Sequence, residues 1–328
     1  MRGDQARALA LAQEVEANLG NPPAPRARMQ STWAQANVLF SQGQLRQAMA
    51  MMDRCKAEHS VLGHRPAALQ DPAVMCLCYS SWALWALGLP DQALVSAQQA
   101  VALAEALAHR FSIGQGYGFL GVVHYLRGET AAGLLAIQRA LEVSEAGGFA
   151  VWLAHAKVMH GRLQAEQGAL AVGLATMDEG HALWAATGAV VTQPLYLVLR
   201  AEGLALAGRP DAALALIEQA HALVERHGER CHAPEVHRLR GLLLRQAGRP
   251  ALEAEHWLQT GLDCAESLQL HGMALKSAIA LAQNWQGQGQ TARACELLGR
   301  QLAHFTEGLQ TRDLRVAQTL LAAWRVSA

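Results

Sequence analysis

The sequence predicts an all-α protein, a right-handed superhelical α-solenoid of about seven helix pairs with a period of about 40 residues and flanking helices. A short glycine-containing break recurs along the chain, with its glycines at Gly43, Gly88, Gly128, Gly168, Gly208, Gly248 and Gly289. Subtraction gives intervals of 45, 40, 40, 40, 40 and 41 residues. Such a regular period indicates stacked copies of one supersecondary unit.

Small residues keep a fixed distance from these glycines. The position seven residues before each glycine holds Ala36, Ser81, Gly121, Gly161, Ala201, Gly241 and Ala282. Two further columns of small residues follow each glycine by about five and twelve positions. Because only a small side chain lets two helices cross at short distance, the columns predict an antiparallel pair, helix A and helix B, in every unit.

Local patterns within the units favour helices. After Gly208, apolar residues recur at spacings of three and four, which is typical of an amphipathic helix. Pro90 and Pro210 each stand where a helix B begins, and Asp71 before Pro72 predicts a capped helix A. We therefore expect one repeat domain over 1–328, with a partial-repeat helix at 4–22, seven helix pairs over 28–305 and a capping helix at 311–326.

Composition narrows the function classes. Of the residues, 52% are hydrophobic and 16% are charged, with 27 basic against 27 acidic side chains. This balance excludes a disordered chain and argues against nucleic acid as a partner, since nucleic acids are captured mainly by net positive charge. No apolar run reaches the roughly 18 residues that span a bilayer. We expect a cytoplasmic protein without a membrane partner.

Candidate chemistry is sparse. Gly116, Gly118 and Gly121 match the spacing of a dinucleotide fingerprint, but they fall inside a predicted helix A rather than after a strand. A cluster in one predicted inter-repeat loop lacks the paired spacing of a metal site; its members are His227, Cys231, His232 and His237. We therefore expect no catalytic residues, no cofactor and no metal, and the chain is not predicted to be an enzyme.

The columns resemble those of the tetratricopeptide repeat, whose standard unit of about 34 residues is shorter. The stretches 70–94, 223–230 and 305–309 are further similar to the C-terminal repeat region of bacterial STAND-like switch ATPases. In those signalling proteins a cyclase or DNA-binding domain and the switch module precede the repeats. The resemblance implies a sensing or scaffolding role, with a cyclase or ATPase as a possible signalling partner.

The resemblance also implies which residues face the concave groove, because helix A lines the inner surface of a tetratricopeptide superhelix. Positions ten, six and three before each turn glycine would face it, and in the sixth repeat these are Arg238, Leu242 and Arg245. The predicted partner-binding residues are Trp33, Trp82, Trp85, Tyr125, Arg162, Glu202 and Arg238, with His160, Arg200 and Arg240 as a basic ladder beside them.

A second interpretation places the tryptophans in the core between repeats and the arginines on a solvated face. On the groove interpretation, the function is a non-enzymatic scaffold or sensor that binds a protein or peptide through its concave helix-A surface. Two alternatives remain. A small-ligand sensor that regulates a cyclase, an ATPase or a transcription factor would need an enclosed concave pocket lined by polar groups and tryptophans. A helical-toroid enzyme would need clustered carboxylates or histidines in a closed cavity.

Overall fold

The structure is a computed structural model that describes residues 5–18, 25–62 and 70–326. These residues form sixteen α-helices and one 3-10 turn, η1 (Arg230–His232). The helices are α1 (Gln5–Asn18), α2 (Pro25–Ser41), α3 (Leu45–Leu62), α4 (Pro72–Ala86), α5 (Pro90–Ala106), α6 (Arg110–Arg127), α7 (Thr130–Gly147), α8 (Ala150–Glu166), α9 (Leu170–Ala186), α10 (Gln193–Leu206), α11 (Pro210–His227), α12 (Ala233–Gln246), α13 (Ala251–Ser267), α14 (His271–Gly287), α15 (Thr291–Leu302) and α16 (Arg312–Val326). None of these helices is long and apolar enough to cross a membrane.

Consecutive helices pack as antiparallel pairs, from α2 with α3 to α14 with α15, and each pair also contacts the next. The predicted all-α solenoid is therefore confirmed. The flanking helix α1 lies within the predicted span 4–22, of which residues 4 and 19–22 fall outside the described residues. The seven pairs run from Pro25 to Leu302, and α16 follows them at Arg312.

The turn glycines end helix A in the conformation that favours glycine. All seven have positive φ, between 68° and 93°, a left-handed region that other L residues enter only with strain. Helix B then begins at once, with Pro90 and Pro210 in its first turn in two of the pairs. As predicted, Asp71 caps α4, where its Oδ1 accepts the backbone N–H groups of Ala73 and Val74 at 3.0 Å each.

The small-residue columns lie where helices cross. On α8 and α9, a methyl group added to Gly161 would press into the carbonyl oxygen of Gly173, and one added to Gly173 would press into that of Gly161. The two backbones thus approach too closely for any larger side chain. The predicted reason for this column, close helix approach, is confirmed.

The solenoid curls until its ends meet. Helix α14 packs against α4, and α16 packs against α6. The loop before α16 also caps α5, because Glu307 Oε1 accepts the backbone N–H groups of Asp91 and Gln92 at 2.9 and 3.0 Å. In return, the N–H of Gly308 donates to Asp91 Oδ2 at 2.8 Å. The inner, helix-A surface of the N-terminal repeats is consequently covered in part by the C-terminal helices.

Candidate functional site

An apolar cavity lies inside the closed solenoid, with a volume of about 80 Å³. Its wall takes residues from α2, α4, α6, α8, α10, α12 and α14, the first helices of all seven pairs. Trp82, Trp85, Val122, Met159 and Leu199 form much of the apolar wall. The cavity therefore lies on the surface that the sequence assigned to partner binding.

The tryptophans of the N-terminal half are buried in two different ways. Trp82 and Trp85 are 9% and 8% exposed and line the cavity. The Trp82 ring also stacks on Phe119 with 4.2 Å between centroids. Trp33 does not reach the cavity and packs edge-on against Tyr79 at 4.9 Å. Trp82 and Trp85 are thus core residues and cavity walls at once, so the two sequence interpretations coincide at these positions.

An ionic network adjoins the cavity, and Glu202 of α10 lies at its centre. The Tyr125 hydroxyl donates to Glu202 Oε2 at 2.6 Å, and Arg162 Nε donates to the same oxygen at 3.0 Å. From the other side, an Arg238 guanidinium nitrogen donates to Glu202 Oε1 at 3.3 Å. Four of the predicted groove residues, from α6, α8, α10 and α12, therefore meet in one cluster.

The network extends to two residues that the groove positions did not include. Arg238 donates to both oxygens of Glu235 at 2.6 and 2.8 Å, and Lys276 Nζ donates to Glu235 Oε1 at 2.5 Å. Lys276 Nζ also lies 5.9 Å from the centre of the Trp85 ring. The positive charges of the network are thus matched by carboxylates, and the aromatic wall adjoins the charged one.

Electrostatics keep these carboxyls ionised. Burial by itself would raise the Glu235 pKa, but the charges of Arg238 and Lys276 hold that pKa well below its ordinary range. Burial likewise opposes ionisation of Glu202, and Arg162 and Lys276 nevertheless lower its pKa. Burial raises the pKa of the Tyr125 hydroxyl, which therefore stays a donor. At neutral pH both carboxylates are therefore ionised and accept hydrogen bonds from the surrounding donors.

A second, wider space opens beside this network. This groove has a volume of about 570 Å³ and is formed by α8, α10 and α12. Arg162, Glu202 and Arg238 form one wall, and Leu206, Leu242 and Arg245 are among the remaining lining residues. Glu202 borders both the cavity and the groove. The charged network therefore lies between a narrow apolar space and a wider, mixed one.

The predicted basic ladder does not face this groove. Arg200 Nε lies 2.5 Å from Asp178 Oδ1, and an Arg240 nitrogen lies 2.7 Å from Glu218 Oε1, so each arginine pairs with the preceding helix B. The Arg240 guanidinium also covers the Trp257 ring at 3.7 Å. His160 is half-buried on α8, which lowers its pKa. The arginines are thus engaged between neighbouring repeats.

Glu235 and Lys276 could have been found by extending the sequence pattern. Both stand thirteen residues before their turn glycines, Gly248 and Gly289. This is one helical turn before the position at ten, and positions three or four residues apart share a helix face. The signal was therefore present in the sequence as a fourth groove column.

Two further titratable residues, Cys231 and His232 of η1, line the cavity, and burial raises the pKa of Cys231 and lowers that of His232 to about 4. Burial raises the pKa of Glu229 to about 7, but this side chain is 1% exposed and is not part of the cavity or groove wall. Across the described residues no cluster of three or more His, Cys, Asp or Glu is arranged to hold a metal ion.

Solved structures share the fold. A Rap protein complexed with competence and sporulation factor superposes with a TM-score of 0.64 at 11% identity, over 99% of this chain and 94% of that one. The Rap conjugation gene regulator of plasmid pLS20 in complex with the Phr* peptide gives 0.61 at 10% identity, over 92% and 77%. Aspartyl phosphate phosphatase F from Bacillus subtilis gives 0.54 at 13% identity, over 85% and 71%.

No protein-family model matches the sequence, and no curated protein matches it significantly. The solved structures thus confirm the tetratricopeptide-like fold. The narrower resemblance to switch-ATPase repeat regions stays a prediction.

Proposed function

We propose that this protein is a non-enzymatic sensor module that binds a short peptide in the groove across α8, α10 and α12. The observation that carries the proposal is the network around Glu202, which joins four helix-A elements where the apolar cavity meets the groove. A bound peptide would touch several repeats at once, so its binding would favour one curvature of the solenoid over others.

The cost of the network supports a binding role. Arg162, Arg238 and Glu202 each expose 13% of the side chain or less. Buried ion pairs recover little more than their desolvation penalty, and apolar residues of similar volume often serve stability as well or better. Packing alone therefore gives no reason to keep charges at this point. An arginine has five N–H donors, so Arg162 and Arg238 can hold these carboxylates and still present preorganised donors to a bound peptide.

The fold likeness points in the same direction. Two of the similar structures hold a partner, one the competence and sporulation factor and the other the Phr* peptide. By analogy, we propose that a peptide binds on the concave side of this chain and that the solenoid changes its curvature when the peptide binds. A cyclase or switch ATPase in the same signalling assembly remains the predicted recipient of that response.

The state of the carboxyls supports a module without catalysis. A general acid or base works best when its pKa lies near the working pH. Glu202 and Glu235, the acids that line the cavity, have lowered pKa values because arginine and lysine neutralise them. They are suited to holding fixed hydrogen bonds and poorly suited to exchanging protons with a substrate.

A small-ligand sensor is the second candidate, and the cavity favours it. The enclosed space contains Trp82 and Trp85 together with Glu235 and Lys276, which is the combination such a sensor needs. Its volume of about 80 Å³ is, however, well below the roughly 300–1,000 Å³ of ordinary ligand pockets. The groove is larger, about 570 Å³, and runs across α8, α10 and α12 on the accessible side of the network, which suits an extended peptide better than an enclosed small molecule.

Affinity selection tests the proposal. The protein is mixed with a synthetic library of random hexapeptides, complexes are separated by size, and bound peptides are identified by mass spectrometry. We expect a recurring set of peptides that the wild type retains and that folded Glu202→Gln loses, whereas Glu225→Gln, an exposed control on α11, retains them. Retention of no peptide by the wild type, or equal retention by both variants, would refute the proposed function.

A further inference from the structure

The groove carries a positive charge that the protein does not neutralise. Arg162 and Arg238 are bound to Glu202 and to a second carboxylate each, Glu166 and Glu235. Arg245, in the last turn of α12, lines the same groove but forms no hydrogen bond through its guanidinium and no ion pair with any described residue. The Arg245 side chain is exposed at the groove, and no carboxylate raises its pKa against the partial burial that lowers it.

The position of Arg245 in the repeat is equally distinctive. Three residues before the turn glycine, the other six repeats carry Phe40, Trp85, Tyr125, Ala165, Ala205 and Gln286. The one charged residue of this groove column therefore lies in the repeat that forms the groove. A cationic side chain in the last turn also interacts favourably with the helix dipole. Arg226 of α11 is exposed like Arg245 but lies outside the groove wall, so it has that role alone and serves as the matched control.

Apolar surface lies beside this charge. Leu206, at the end of α10, is 52% exposed, and Leu242 of α12 is half-buried in the same wall. A guanidinium next to accessible leucines presents two chemically different contacts within one groove. Arginine pairs with carboxylates through two parallel hydrogen bonds, which fixes orientation as well as adding energy.

We propose that Arg245 binds a carboxylate of the peptide ligand while an apolar side chain of the same peptide packs on Leu206 and Leu242. This inference rests on the proposed function and gives it a ligand class, a peptide with a carboxylate close to an apolar residue. The carboxylate comes either from the peptide C-terminus or from an acidic side chain, and both make the same contact with the guanidinium.

The test uses two hexapeptide libraries in the affinity selection, one with free C-termini and one that is C-terminally amidated and contains no Asp or Glu. Retained peptides are then resynthesised as free acid, as amide and with Asp or Glu changed to the corresponding amide. Their Kd values are measured against the wild type, Arg245→Gln, Arg245→Lys and the control Arg226→Gln. If only amidation of the C-terminus weakens binding, the carboxylate is that of the C-terminus. If only the change of Asp or Glu to its amide weakens binding, the carboxylate is that of the side chain.

We expect carboxylate-bearing peptides to lose about tenfold or more in affinity with Arg245→Gln, less with Arg245→Lys, and nothing with Arg226→Gln. Removing the carboxylate from the peptide should weaken wild-type binding as much and leave Arg245→Gln binding unchanged. Carboxylate-free peptides that bind the wild type equally well, and still depend on Glu202, would overturn this inference and leave the proposed function standing. If the wild type retains no peptide from either library, both the proposed function and this inference are rejected. If Arg226→Gln loses as much affinity as Arg245→Gln, the effect is unspecific charge attraction and this inference is overturned.

Discussion

Replacing Glu229 by glutamine is expected to change how the free energy of unfolding depends on pH. In the folded protein Glu229 Oε2 accepts the backbone N–H of Thr192 at 3.0 Å, while Oε1 is buried without a partner. Burial raises the pKa from its ordinary value of 4.5 to about 7, against the smaller opposite effect of the Thr192 hydrogen bond. Between these values the folded state holds a proton that the unfolded state releases, so its stability falls as pH rises.

The size of the effect follows from the shift. One pKa unit corresponds to about 1.4 kcal/mol, so full ionisation of Glu229 in the folded state costs roughly 3 kcal/mol. Most of this cost, about 2 kcal/mol or slightly more, is incurred between pH 5 and pH 8. Glutamine cannot ionise, and its amide adds only a pH-independent penalty for a buried donor at the Oε1 position.

Urea unfolding followed by far-UV circular dichroism at both pH values measures this difference. Relative to the wild type, Glu229→Gln should gain about 2 kcal/mol of stability between pH 5 and pH 8, whereas exposed Glu225→Gln should gain none. His232, whose pKa burial lowers to about 4 and whose Nε2 lies 3.9 Å from Glu229 Oε2, also costs stability in acid, so the wild type and Glu229→Gln are compared in a His232→Gln background as well. A difference that does not change with pH would refute the reasoning.

Three further predictions concern the fold and the groove. Gly161→Ala should lose about 1–3 kcal/mol of stability because its methyl group meets the backbone of α9. Gly287 has open space around it, so Gly287→Ala should not destabilise the protein. Equal urea midpoints for the two variants would contradict this. Glu307→Gln should weaken the cap on α5 and speed hydrogen exchange of the backbone amides of Asp91 and Gln92. Unchanged exchange would show that this contact does not stabilise the start of α5. Arg200→Gln and Arg240→Gln should leave peptide affinity unchanged because both arginines pair between repeats, and a tenfold loss would return them to the groove.

The sequence was sufficient for the repeat architecture because the responsible interactions are local. A turn glycine with positive φ and a small residue seven positions earlier are both required by the geometry of a single helix pair. Asp71 before Pro72 specified its own helix start in the same way. The closure of the solenoid is different, since Glu307 meets α5 more than 200 positions away in the chain. No periodic pattern encodes a contact between non-equivalent repeats.

The groove was predictable in part for the same reason. Trp82, Tyr125, Arg162, Glu202 and Arg238 follow from their register on helix A, and the structure brings them to the cavity, the groove or the network between them. The basic ladder was located by spacing alone. Each of its arginines has an acidic neighbour on the preceding helix B, and that pairing decides which way the side chain turns. Charged residues that recur at one repeat position therefore have to be compared with the acidic or basic residues of the neighbouring helix before they are assigned to a surface.

Site-specific photo-crosslinking tests the central claim, a peptide site in the concave groove, most directly. A benzophenone amino acid is introduced at Leu206, which lines the groove and is 52% exposed, and separately at Leu135 of α7, which is 76% exposed and outside the groove. Both proteins are illuminated with a peptide recovered by affinity selection. The account predicts a crosslink from position 206 that excess unlabelled peptide abolishes, and none from position 135. A crosslink of equal yield from both positions, or from position 135 alone, would contradict it.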